Sequence, residues 1–200
     1  MDQTLFLSEA KLKQNSNLLE NIDAKYVRNA ILKAQRIKVL PVMGSDLYDK
    51  ISGLINTGEI GSTGGTAGDN SVYKNLLDNE LQQSVIPSAI SYLLVSLSYK
   101  ITQKGTQQSS DDLSTPVDLS TIQYLVGQYD NETEYWLQRM LGYLREFEND
   151  IPEYSSPDRS DFRNIAPDKR NQWSSMIYLR GRKQNLYYGD NAPNSGEANN

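Results

Sequence analysis

The sequence predicts an all-α fold, a helical bundle with one long C-terminal helix over about 119–150 followed by an extended arm. Three observations predict it. Apolar residues recur at spacings of three and four through most of residues 8–150, the period of a half-buried helix. Ser8, Asp23 and Asp118 stand where helices should start, and Gly58 and Gly105 where they should stop. The periodicity ends near Phe147, and the residues beyond it are rich in Pro, Asn, Asp, Ser and Arg. A chain of 200 residues is long enough for one domain with its own core. The expected division is therefore a helical domain over 1–150 and an extended arm and tail over 151–200.

A short first helix is expected from Ser8 through Leu12, fading in the polar Gln14-Asn15-Ser16-Asn17. Asp23 caps a second helix whose stripe of Val27, Ile31, Ala34 and Ile37 faces inward. Pro41 is expected to end it, because the residue before a proline is pushed out of the helical region. After a turn at Gly44-Ser45, a third helix from about Asp46 presents Leu47, Ile51, Leu54 and Ile55 on one face, with Gly58 as its C′ residue. Residues 58–70 hold five glycines, too much backbone freedom for regular structure. Neither a GxGxxG spacing nor a GK[ST] ending is present, so the segment is expected to be a loop and not a phosphate cradle. It is expected to leave the core.

Helix is expected again from Ser71 to Lys104, first through Val72, Leu76, Leu77 and Leu81, then, after an interruption at Pro87, through Ile86, Ile90, Leu93, Leu94, Leu97 and Ile101. That second segment is apolar on more than one stripe, Val95 included, which places it at the centre of the core. Beyond the polar Gln107–Pro116, Asp118 caps the longest helix, with Ile122, Leu125, Tyr129, Thr133, Trp136, Met140, Leu144 and Phe147 on its stripe. About 31 residues correspond to roughly 46 Å. Such a helix outruns a compact core and needs either several partners within the chain or neighbouring chains. In the arm, Trp173 and Met176–Leu179 form an apolar island, Leu186-Tyr187-Tyr188 a second, and Arg180-Gly181-Arg182 offers a hairpin turn between them.

Charge and composition narrow the function. Residues 1–50 carry 8 Lys/Arg against 6 Asp/Glu, residues 51–150 carry 5 against 13, and residues 151–200 carry 7 against 6. An acidic middle argues against a sequence-reading DNA-binding domain, which concentrates basic groups against phosphates. With no His and no Cys, the usual general base, thiolate nucleophile and commonest metal ligand are missing. The remaining acidic pairs, Asp111-Asp112 and Glu132 with Glu134, do not have the placement of a catalytic dyad. No catalytic residue, metal or cofactor is expected, and no segment approaches a membrane span or a Sec-type signal. Thirteen tyrosines suit a subunit with neighbours, since Tyr buries area while its hydroxyl keeps a partner.

The order of several strings resembles a known family. Leu5-Phe6-Leu7-Ser8-Glu9-Ala10-Lys11-Leu12, Ile22-Asp23-Ala24-Lys25, and Leu40-Pro41-Val42-Met43-Gly44-Ser45-Asp46-Leu47-Tyr48-Asp49-Lys50 are similar to the opening of a head-tail connector family of tailed bacteriophages, as in crAss-like and related Bacteroidetes phages. The likeness continues through Ser98–Gly105, Gln123-Tyr124-Leu125 to Arg139, and Tyr143-Leu144, covering most of residues 4–150. The resemblance implies a virion protein, assembled in the host cytoplasm, that forms a twelvefold homo-oligomeric ring in the neck. Its partners would be the portal protein and the tail or a second ring protein. DNA would pass through the channel without sequence-specific binding. The loop at 58–70 and the long tail depart from the short members. On the arm, Trp173, Ile177, Tyr178 and Leu179 are the expected partner-binding residues, with folding back onto the helical domain as the competing expectation. A tail-completion or other neck protein of similar fold, a helical DNA-binding regulatory protein, and an enzyme are the alternatives, in falling order.

Overall fold

Local capping sets the helix starts. Ser8 Oγ accepts from the Lys11 amide at the head of α1 (Glu9–Gln14), and the Asp23 carboxylate accepts from the Lys25 amide at the head of α2 (Ala24–Ala34). Asp118 does the same for Ser120 at the head of α7 (Leu119–Glu146). Each takes up an amide that has no partner inside its own helix. Between α2 and α7 lie α3 (Leu40–Met43), α4 (Ser45–Thr57), α5 (Ser71–Asn75), α6 (Gln82–Ser98) and a two-stranded hairpin, β1 (Tyr99–Thr102) with β2 (Gly105–Gln108); α8 (Pro152–Ser155) follows α7. The computed structural model describes residues 4–16, 18, 21–61, 70–102, 105–108, 118–157, 161 and 164–168. The fold is all-α as expected, since helices carry the core and the hairpin is a small antiparallel appendage in the register Tyr99 to Gln108.

Two π-helical segments interrupt the expected α-helical pattern. Gln35–Val39 continues α2 into α3, and Leu76–Leu81 continues α5 into α6. A π turn takes an extra residue, so it shifts which side chains face inward. Gln35 and Val39 are fully buried, while Ile37, expected on the buried stripe, is 56% exposed. The first segment also carries the chain past Pro41. That proline sits in the first turn of α3 without stopping the helix, the wider turn easing the clash its ring would otherwise make. Helix continues to Met43 and stops at Gly44. Pro87 likewise lies inside α6 without interrupting it. Toward its end α6 frays earlier than expected. Ser96 and Ser98 hydroxyls donate to the Tyr92 and Leu94 carbonyls, competing with the helix ladder. The β-branched Ile101 and Thr102 then favour a strand over the expected helix to Lys104, and Val95 is exposed rather than core.

The buried polar groups near the first π segment hold the N-terminal segment in place. Phe6 N–H donates to Gln35 Oε1 at 3.2 Å, and Phe6 C=O accepts from Gln82 Nε2 at 2.9 Å. Gln35 Nε2 also donates to the Thr4 carbonyl and the Tyr48 hydroxyl, and Lys11 Nζ donates to Gln82 Oε1. The N-terminal segment thereby enters the core with its Phe6 backbone groups satisfied, and the Phe6 and Tyr48 rings meet at a tilt of 49° with centroids 4.6 Å apart.

The boundary expected at 150 is not where the helical unit ends. The compact unit spans Met1–Arg170; a second unit, Asn171–Asn200, lies outside the described residues. Ile151 and Tyr154 are fully buried, and the Tyr73 hydroxyl donates to Glu153 Oε2 at 2.8 Å, tying α8 to α5. Beyond α8, residues 164–168 clasp the corner between α3 and α4. The Ser45 amide donates to the Ile165 carbonyl at 2.9 Å, the Ile165 amide donates to Ser45 Oγ at 2.8 Å, and the Asp168 amide donates to the Pro41 carbonyl at 2.9 Å. The strap thus caps α4 at its start and α3 at its end from far away in sequence. Gly44, at φ 82°, allows it: a Cβ there would lie 2.8 Å from Pro167 Cδ.

Gly44→Ala should therefore cost about 1–3 kcal/mol, from the strained backbone and the displaced strap, measured as a lower urea midpoint with unchanged slope. An unshifted midpoint would mean that the strap does not depend on this corner. A second expectation concerns alkaline pH. Tyr48, Tyr73, Tyr92, Tyr143 and Tyr154 all have hydroxyl pKa values raised above 10.0, chiefly by burial; at Tyr73 the hydrogen bond to Glu153 adds to it. The folded state keeps these protons to higher pH than the unfolded chain. Their contribution is full below about pH 10 and declines as pH rises through the raised values. Stability should fall as pH rises from about 10 upward through the raised values, and Tyr73→Phe should flatten that slope. A pH-independent midpoint across the range would contradict the assignment.

Candidate interaction surfaces

Helix α7 is 28 residues long, about 42 Å at 1.5 Å per residue, and its first half has little to pack on. Before Thr133 only Ile122 of this helix is buried. The inward stripe is Ile122, Thr133, Leu137, Met140 and Leu144, and directly opposite it run Tyr124, Gln128, Asn131 and Tyr135. Tyr124 is 66% and Tyr135 58% exposed. These two rings, about three turns apart, share a face. From Asp118 to Gln138 the helix carries Asp118, Asp130, Glu132 and Glu134 and no Lys or Arg, so an uncharged aromatic seam is flanked by carboxylates.

At the C-terminal end of the seam is a built cluster. Tyr135 meets Trp136 edge-on, with ring centroids 5.4 Å apart, and the Arg139 guanidinium lies over the Trp136 ring, 5.0 Å from its centroid. Tyr135 and then Glu80 push the Arg139 pKa further up by hydrogen bonding. Glu80 comes from the second π segment and is buried, with Oε1 accepting from Arg139 at 3.0 Å and Oε2 without a partner among the described residues. A buried carboxylate thus fixes an Arg that stacks on a Trp beside an exposed Tyr. Trp, Tyr and Arg are the residue types that dominate binding energy at protein interfaces.

A second surface lies where α2 and the first π segment meet α6. Tyr26, Ala30, Lys33, Arg36, Ile37 and Ser96 line an open groove of about 540 Å³. Residues 24–45 carry Lys25, Arg28, Lys33, Arg36 and Lys38 and no Asp or Glu. The groove therefore has an apolar wall and a basic rim. Two of these cations have partners within the chain: Lys38 lies 3.5 Å from Asp130, and Arg36 hydrogen-bonds the Tyr48 hydroxyl.

Of the residues singled out from the sequence, Trp173, Ile177, Tyr178 and Leu179 lie outside the described residues, as do Asp111, Asp112 and residues 62–69 of the glycine-rich loop. Glu132 and Glu134 are exposed on opposite flanks of α7 and do not form a pair. No group of three or more acidic residues placed to hold a metal occurs among the described residues, and no described helix is long and apolar enough to cross a membrane. Sequence reasoning missed Glu80, Arg139 and Ile37. Trp136 and Arg139 at a spacing of three, on a helix, was the available signal for the cluster; the exposure of Ile37 follows from a π turn that no spacing rule anticipates.

The model of DUF6712, a family of unknown function, matches residues 39–164, and the chain belongs to that family. No curated protein and no solved structure matches it. The matched span includes α7, Glu80, Gly44 and the start of the strap.

Arg139→Met should leave the Glu80 carboxylate buried without its countercharge, and breaking a buried pair from one side costs more than removing both charges. The double variant Glu80→Gln with Arg139→Met should accordingly melt at a higher temperature than Arg139→Met alone. Equal melting temperatures would mean that Glu80 does not depend on Arg139.

Proposed function

We propose that this member of a family without an assigned role is a structural protein of a tailed-phage virion. It forms a ring, twelvefold by the family resemblance, between portal and tail, and joins head to tail around the DNA channel. The observation that carries the reading is α7, whose aromatic outer seam faces away from its own core. A protein that worked alone would have little use for exposed Tyr124 and Tyr135 on a helix that leaves its own core. The resemblance of the ordered strings in residues 4–150 supplies the phage context. In this reading the acidic excess of residues 51–150 serves a channel wall, because each phosphate neutralised by Lys or Arg would add binding that slows DNA passage. Attachment needs apolar anchors instead, and Trp173, Ile177, Tyr178 and Leu179 are the proposed anchors toward the portal or a neighbouring subunit.

Electron cryomicroscopy of the virion neck tests this directly, with a ring of this chain expected beside the portal. Trp173→Ala with Tyr178→Ala should weaken attachment to the ring or portal by about 2–4 kcal/mol without changing the melting of the isolated chain. Absence of the chain from purified particles would overturn the proposal, whereas its presence lower in the tail would favour a tail-completion protein.

A further inference from the structure

The seam on α7 and the groove beside α2 complement each other. The seam offers Tyr124 and Tyr135 between carboxylate flanks, and the groove offers an apolar wall through Ile37 and Tyr26 under a basic rim. Ile37 and Tyr124 are each more than half exposed. In one chain these partners cannot meet, because the seam points directly away from the core that α6 and α2 help to form.

We propose that the groove between α2 and α6 receives the α7 seam of a second copy of this chain. The contact is head-to-tail: one copy gives its seam and the next gives its groove, leaving a free groove at one end and a free seam at the other. Repeated, such a contact closes into a ring or extends into a filament. Apolar contact of Tyr124 and Tyr135 with the wall near Ile37 supplies the anchoring. Lys33 and Arg36 facing Glu132 and Glu134 supply orientation, since complementary charge fixes register and disfavours wrong pairings. The signs decide against the obvious competing occupant, a nucleic acid. A phosphate backbone would use the basic rim but leave Ile37 and Tyr26 uncovered, while the matched acidic helix uses both. The inference deepens the ring reading by naming the faces, and rests on that reading only for closure into a ring.

The test uses the full chain and two variants, one blocked at the groove (Lys33→Glu with Ile37→Asp) and one at the seam (Tyr124→Ser with Tyr135→Ser). All four positions are exposed, so both variants should keep the wild-type circular dichroism. Sedimentation should show assembly of the wild-type chain beyond a dimer and at least a roughly tenfold loss of self-association in each variant alone. An equimolar mixture should form dimers with one copy of each variant and nothing larger, because one intact groove and one intact seam remain. Wild-type chain that stays monomeric at every concentration, variants that assemble like wild type, or a mixture that stays monomeric would each overturn the proposal. So would salt-sensitive binding of wild type to duplex DNA that the groove variant abolishes while its self-assembly is unchanged. Because the mixing experiment needs neither portal nor particle, it can fail while the chain is still found in a virion neck, and the virion reading can fail while this contact stands.

Discussion

A helix of 17 residues without one charged side chain, Gln82–Ser98, has to be covered on nearly all sides to exist in water, and the rest of the unit is arranged to cover it. Val85, Ile86, Ala89, Ile90 and Leu93 are all buried, each of the larger ones contributing at most about 1.5–3 kcal/mol by burial. Helices α2 and α7 pack along α6, and the N-terminal segment closes over its start through Gln82. Because both flanking helices give their apolar faces to α6, their outer faces are left to solvent with whatever the sequence puts there. On α2 that is basic, and on the first half of α7 it is acidic and aromatic. The surfaces available for partners are thus a by-product of how the central helix is buried.

The π segments add a second constraint. Each brings a polar side chain inside: Gln35 in the first and Glu80 in the second. Burying a polar group costs free energy unless it is bonded, and the two meet that cost differently. Gln35 spends its amide on backbone and Tyr48, and so serves the fold. Glu80 spends one oxygen on an arginine at the surface, and so fixes a group that solvent or a partner can reach. The irregular turn has a structural use in one case and shapes an outer cluster in the other.

What the sequence makes legible is whatever depends on local pattern. Ser8, Asp23 and Asp118 are helix caps, Gly58 closes α4 in the left-handed region at φ 76°, and Leu47, Ile51 and Leu54 are buried together as their spacing requires. Failures cluster where one residue changes the phase. Ile37 turns outward because the turn that contains it is π rather than α, and both Pro41 and Pro87 sit in continuous helix next to or after such turns. The end of the helical unit is equally illegible, because residues 164–168 hold on by backbone hydrogen bonds, and those leave no mark on hydropathy. Of the candidate surfaces, the length of α7 and the abundance of Tyr are visible in advance. The pairing of Glu80 with Arg139, 59 positions away, depends on tertiary packing and has no sequence signature.

The strap at the Gly44 corner also determines where a pulling force enters the molecule. Tension on the chain beyond residue 168 does not first reach α7. It meets the Asp168 to Pro41 bond and the paired bonds between Ser45 and Ile165, three links bearing on the α3–α4 corner. Load is then carried into α4 while these links hold, and α7 and the surfaces on it are shielded from strain. If the links part, the released slack runs back toward α8, where Tyr154 is buried and forms the next stop. The corner behaves as a strain relief, separating whatever pulls on the C-terminal end from the geometry of the long helix.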